Sequence, residues 1–126
     1  MIDKKKLRKI LAGLDHITEQ EKKILLEELR NDIDLLDRNI ASQLSDRVKL
    51  VFLIGQLKKK LGIQTYSCKR EKEILENVTS TFKGTKLQKS IEKIYIKVIE
   101  ESRLIQHSDI DLSFLFEDKN KLGDVN

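Results

Sequence analysis

The sequence predicts an all-α protein, and three observations carry that prediction. The 126 residues include no proline and only 5 glycines, whereas a fold of many short strands needs many turns, usually written with Gly, Pro and Asn. Apolar residues recur in steps of three and four over long stretches, the period of a helix with one buried face. Charged residues make up 37% of the chain with both signs interleaved, as on a solvated helix surface.

Each segment can be justified in order. Residues 1–17 form a basic, weakly amphipathic extension in which Leu7, Ile10, Leu11 and Leu14 recur at helical spacing and Gly13 interrupts them. Thr18 followed by Glu21 matches a capping box, in which the hydroxyl accepts an amide and the Glu reaches back to the cap amide. A helix therefore starts there, and from Glu19 to about Leu61 nothing stops it. Its stripe runs Leu25, Leu26, Leu29, Ile33, Leu36, Ile40, Leu44, Val48, Val51 and Ile54. Gly55 is the one breaker inside it, at a cost of about 1 kcal/mol relative to Ala, and Gly62 reads as the C-terminal cap. Residues 63–68 are a short loop. Ser67 caps a second helix from about Lys69 to Phe82, with Ile74, Leu75 and Val78 inward. Lys83-Gly84 breaks it, and Thr85 with Gln88 repeats the capping box to open a third helix reaching about His107. Leu87, Ile91, Ile94, Val98 and Leu104 form its expected inward face. In residues 108–126, Ile110, Leu112, Phe114 and Phe116 alternate as in a strand, which fits either a packed strap or a partly disordered end. The organisation expected is thus an extension (1–17), a helical domain (18–107) and a tail (108–126).

At about 1.5 Å per residue the long helix measures about 60 Å. A 100-residue domain has a radius of gyration of about 13 Å, so the rest of the chain cannot cover both ends of that helix. Its stripe calls for a second copy or another partner, and a homodimer is the first expectation.

Composition bounds the function class. The 39% hydrophobic residues supply one modest core. A lone cysteine, Cys68, excludes a disulfide-framed secreted domain and reads as an incidental loop thiol. No apolar run approaches the roughly 20 residues that span a bilayer. After Met1-Ile2-Asp3-Lys4-Lys5-Lys6-Leu7 no stretch suits a secretory signal, so a cytoplasmic protein without a membrane partner is expected. The balance of 25 Lys+Arg against 21 Asp+Glu gives +4, mixed and not striped, which argues against a nucleic-acid partner. There is no CxxC pair, HExxH, glycine-rich phosphate loop or GxSxG elbow, and His16 and His107 are too few for the usual zinc site.

What stands out is polar residues on faces that ought to be apolar. Lys58 follows Arg47 by eleven residues, about 20° beyond three full turns, so the two share the face of the stripe. Buried cations need partners. Spacing alone leaves open whether these two snorkel, pair with internal carboxylates or hold an anion. Arg30 lies seventeen residues before Arg47, about 100° around and about 25 Å along the helix. One straight helix cannot bring the two together, but an antiparallel partner helix can. Ser102 and Gln106 stand at i and i+4 on the third helix, and Arg70-Glu71 opens the second, where Glu71 alone would suit the helix dipole.

Taken together, Leu29-Arg30-Asn31-Asp32-Ile33-Asp34-Leu35-Leu36-Asp37, Arg47, Lys58, Arg70-Glu71 and Ile99-Glu100-Glu101-Ser102-Arg103-Leu104-Ile105-Gln106 resemble the all-helical (type II) chorismate mutase family in order and spacing, over about residues 25–107. The resemblance implies a three-helix chain with a very long first helix, intertwined as an antiparallel homodimer with sites shared between chains. It implies a Claisen rearrangement of the dianion chorismate to prephenate, toward phenylalanine and tyrosine, with no metal or organic cofactor. It implies that Arg47 and the partner's Arg30 grip the two carboxylates, assisted by Ser102, through charge-assisted contacts. Lys58 and Gln106 would donate to the ether oxygen as negative charge grows there. Glu71 would accept from the ring hydroxyl, and Arg70 would add positive field or orient neighbours. The family often has an acidic residue near the ring hydroxyl where this chain has Ser67, which can still cap the second helix and offer its amide to substrate. Gln106, in place of a carboxylic acid, implies activity insensitive to protonation there. Two other readings fit the same scaffold. One is an isochorismate pyruvate-lyase, disfavoured by Glu71 and the intact polar set. The other is a non-catalytic helical dimer that binds a protein partner, for which Phe114 and Phe116 leave room.

Overall fold

The first helix begins where Asp3 can cap it. Its carboxylate accepts from the amides of Lys5 and Lys6 at 2.9 and 3.3 Å, satisfying two of the donors that a helix start leaves unpaired. The computed structural model describes residues 3–107 and 111–117. Among these it is all-helical, without a strand. It comprises α1 (Lys4–Gly13), α2 (Glu19–Leu61), α3 (Cys68–Thr79) and α4 (Leu87–His107), with 3-10 turns at Leu14–His16, Ser80–Phe82 and Ser113–Phe116. The N-terminal extension thus carries a helix of its own, on the periodicity of Leu7, Ile10 and Leu11. No described helix is long and apolar enough to cross a membrane.

The limits of α2 follow local chemistry. The Thr18 hydroxyl accepts the Glu21 amide at 3.1 Å. The Glu21 carboxylate takes the Thr18 hydroxyl proton, also at 3.1 Å, where the capping box predicts the Thr18 amide as its donor. At the far end Gly62 adopts φ 68°, a conformation that costs glycine little. The Gly62 amide donates to the Lys59 carbonyl at 3.3 Å and the Ile63 amide to the Lys58 carbonyl at 2.9 Å, the paired bonds of a Schellman stop.

The chain forms two compact units, Met1–Gln43 and Leu44–Asn126. The first holds α1 and the N-terminal part of α2. Here the predicted stripe lies open: Ile33, Leu36 and Ile40 are 55%, 39% and 55% exposed.

The second unit holds the rest of α2, α3 and α4, and its core is small. Val51 and Ile99 are its buried hydrophobic residues among those described, each 6% exposed. Buried Thr79 donates its hydroxyl to the Leu75 carbonyl at 2.7 Å. Ile74, Leu75 and Val78 of α3 are half-buried, as predicted. The inward face of α4 is rotated from its predicted position. Ile91, Tyr95, Val98, Ile99, Ser102 and Gln106 are buried or half-buried, whereas Leu87, Ile94 and Leu104 are exposed. At about 100° per residue Leu104 falls on the opposite side of α4 from that stripe. Leu87 and Ile94 fall at its edge.

Four further expectations are corrected. Cys68 is the first residue of α3, exposed and free, where the sequence suggests a loop thiol. The α-helix ends at Thr79 and tightens into the turn Ser80–Phe82, so its predicted reach to Phe82 is 3-10 over the last three residues. The second capping box does not close as predicted. The Thr85 hydroxyl donates to the Phe82 carbonyl at 2.7 Å, and the Gln88 side chain accepts from the Gly84 amide at 2.9 Å. Gly84, at φ 80°, turns its own amide toward Gln88 in place of that of Thr85. In the tail, Ile110 lies outside the described residues. The alternation of Leu112, Phe114 and Phe116 becomes a 3-10 turn, Ser113–Phe116, in place of a strand. Phe116 sets its ring 6.1 Å from that of Phe52 on α2.

Candidate active site

The second unit holds seven of the eight sequence-predicted residues, and five of them fall into three groups. Arg47, half-buried on α2, donates from Nη1 to the Ser102 hydroxyl on α4. That hydroxyl in turn donates to the Val98 carbonyl at 2.7 Å, which fixes its rotamer. The Arg47 guanidinium also lies 5.7 Å from the centre of the Tyr95 ring, a favourable cation–π distance. Beside this pair, Leu44, Val48, Ile94, Val98 and Ile105 wall an apolar groove of about 350 Å³.

The second group is built on the last turn of α2. Lys58 Nζ donates to the Thr65 carbonyl at 2.8 Å and to Gln106 Oε1 at 3.3 Å. The Schellman stop at Gly62 turns the chain so that Thr65 comes back to Lys58. The Thr65 hydroxyl sits 2.9 Å from His107 Nε2, tying the same loop to the end of α4. Gln106 is seated by a close helix approach: a Cβ on buried Gly55 would stand 3.3 Å from the Gln106 Cα. Gln106 accepts with its carbonyl, which leaves its N–H donors for another partner.

The third group centres on Glu71, in the first turn of α3. Its carboxylate is held by Arg103 on α4 in a fork of two bonds, Nε to Oε2 at 3.1 Å and Nη2 to Oε1 at 2.6 Å. The hydrogen bond to Glu71 raises the Arg103 pKa above its ordinary value, against a smaller opposing effect of burial. The guanidinium lies 5.0 Å from the centre of the Tyr66 ring. The Tyr66 phenol is itself raised, first by hydrogen bonding with Cys68.

The remaining predicted residues stand apart from these contacts. Ser67 caps α3, its hydroxyl accepting from the Arg70 amide at 3.2 Å. Ser67→Ala should therefore lower stability by about 1 kcal/mol, read as a lower urea midpoint with an unchanged slope, whereas Ser67→Asp should keep the cap. Arg70 is exposed and pairs with Glu73 at 3.5 Å. Arg30 belongs to the first unit and pairs with Glu27 at 2.9 Å on its own helix.

Of the options that spacing leaves open for Arg47 and Lys58, pairing with internal carboxylates is not what the structure has. Neither joins a salt bridge among the described residues, and their hydrogen-bond acceptors are a hydroxyl, an amide and a backbone carbonyl. Among the described residues no group of three His, Cys, Asp or Glu side chains is placed to hold a metal ion.

Fold and side chains together define an all-helical protein that holds two half-buried cations on one helix face, neither in a salt bridge among the described residues. The family model described as chorismate mutase type II matches residues 29–107, and the chain belongs to that family. Among curated proteins, the bifunctional chorismate mutase/prephenate dehydratase of Aquifex aeolicus (strain VF5) is 33% identical over 78 residues, which cover 59% of this chain and 22% of that protein. The chain thus spans less than a quarter of that relative's length. No solved structure matches.

Proposed function

We propose that this chain is a chorismate mutase that rearranges chorismate to prephenate, the step that leads toward phenylalanine and tyrosine. The observation that carries the proposal is the pair Arg47 and Lys58, half-buried and bonded to neutral acceptors alone among the described residues. Two half-buried cations that no carboxylate pairs directly suit a substrate with two carboxylates. Membership of the family supports the same reading.

In the rearrangement the ether C–O bond breaks as a C–C bond forms between the enolpyruvyl methylene and the ring. No proton leaves and no nucleophile is needed. The protein contributes by holding the side chain over the ring and by stabilising negative charge on the departing oxygen. Arg47, braced by Ser102, binds a carboxylate. Lys58 and Gln106 donate to the ether oxygen, Glu71 receives the ring hydroxyl, Ser67 and Arg70 border the ring, and Arg30 of the partner subunit binds the second carboxylate. The open stripe of Ile33, Leu36 and Ile40 supports an antiparallel dimer in which a second copy covers it. Residues 18–107 would be the catalytic domain, flanked by the extension and the tail.

Purified protein should convert chorismate to prephenate without added metal, followed as loss of chorismate absorbance with the product identified by NMR. A constant chorismate signal at stoichiometric enzyme would overturn the proposal, and release of pyruvate from isochorismate would then move the chain to the lyase reading.

A further inference from the structure

We propose that Arg103 is a positioning residue for the reaction, acting through Glu71 and setting how the ring hydroxyl of the substrate is received. The inference rests on the mutase reading above and adds a residue to it. Its basis is geometric. Glu71 forms no hydrogen bond or salt bridge to Arg47 or Lys58 among the described residues. Both of its oxygens are taken by one guanidinium from the opposite helix, at 3.1 and 2.6 Å. A fork of this kind fixes the plane of the carboxylate as well as its charge, which a single ammonium contact does not. Each carboxylate oxygen has lone pairs to spare after accepting one bond, so the held carboxylate remains able to accept a hydroxyl.

The surroundings of Arg103 fit such a part. It stands beside Ser102 and three residues before Gln106 on α4, so the helix that carries two polar groups of the candidate site also sets the carboxylate of α3. Its guanidinium rests on the Tyr66 ring, 5.0 Å to the centre, which restrains it from a second side. Tyr66 follows Thr65, the residue whose carbonyl holds Lys58. The pair also balances its own charge, and neither Arg47 nor Lys58 is drawn into it.

The test is a double-mutant cycle on kcat/KM for chorismate, using Arg103→Met, Glu71→Gln and the two combined, with urea unfolding confirming that each variant is folded at the assay temperature. Arg103→Met should lower kcat/KM by about tenfold or more in the native background and by less than twofold in the Glu71→Gln background, read at high enzyme concentration. Arg103→Lys, which keeps the charge and loses the fork, should fall between wild type and Arg103→Met. Equal losses in both backgrounds, or an unchanged or faster Arg103→Met enzyme, would overturn the proposal. An inactive wild-type protein would instead overturn the mutase reading on which it rests.

Discussion

Lys58→Ala should lower kcat/KM by about two to three orders of magnitude while the chain still folds. Removing one preorganised donor to a developing oxyanion costs about 3–4 kcal/mol, and Lys58 is the cation proposed for that part. The structural cost is smaller. Its Nζ donates to the Thr65 carbonyl and to Gln106 Oε1, and neither bond closes the helix. The end of α2 is held by backbone bonds from Gly62 and Ile63, which survive truncation of a side chain. Loss of a cation near a helix C-terminus costs about 0.3–1 kcal/mol. Gln106→Ala should show a drop of similar kind, because its free N–H donors face the same task. Since Lys58 and Gln106 touch each other, the double variant should lose less than the sum of the two single losses in free energy. Steady-state kinetics beside circular dichroism checks all three. Near-wild-type rates in both single variants would remove Lys58 and Gln106 from the mechanism.

How much of this was legible in the sequence depends on how local the cause is. Thr18, Gly62 and Ser67 act on amides and carbonyls within a few residues, and the limits of α2 and the start of α3 follow from them directly. The capping box at Thr85 failed for an equally local reason: Gly84 is free to take φ 80° and offers its own amide first. The rotated face of α4 is a tertiary effect. The predicted face of Leu87, Ile91, Ile94, Val98 and Leu104 is apolar, but which part of it is covered, here half-buried Ile91 and Val98, depends on where α3 and the end of α2 lie. In the site, Arg47, Lys58, Ser102 and Gln106 could be singled out as polar residues near an apolar face that need partners, but which pairs with which could not. Arg103 could not. A charge thirty-two residues from Glu71 looks like any other exposed Arg until two helices bring them together. Thr65 contributes a backbone carbonyl, which no side-chain pattern reveals. Gly55 did leave a signal, as the one glycine inside α2. A lone glycine within a helix often marks a close approach, here that of Gln106.

Mixing two inactive variants should restore activity. Arg30 and Arg47 are seventeen residues apart in sequence, about 25 Å if the helix that carries them is straight, and one chain would then not aim both at a single small dianion. If the second chain runs antiparallel, each site takes Arg47 from one protomer and Arg30 from the other. Arg30→Ala homodimers then lack one carboxylate anchor in every site, and Arg47→Ala homodimers lack the other. Each anchor is a charge-assisted contact worth about 1.5–3 kcal/mol, so each variant alone should be at least tenfold slower. Unfolding and refolding an equal mixture gives heterodimers in about half of the dimers, each with one site carrying both arginines and one carrying neither. Recovery to about one quarter of the wild-type rate is the expected ceiling for a two-fold dimer. The exposed Glu27 partner of Arg30 is no obstacle, since a surface pair of this kind is worth at most about 1 kcal/mol and a substrate carboxylate can replace it. If the mixture stays as slow as its components while size-exclusion chromatography shows dimers, the sites are not shared. A dimer that covers the open stripe of α2 would then serve a purpose other than sharing sites.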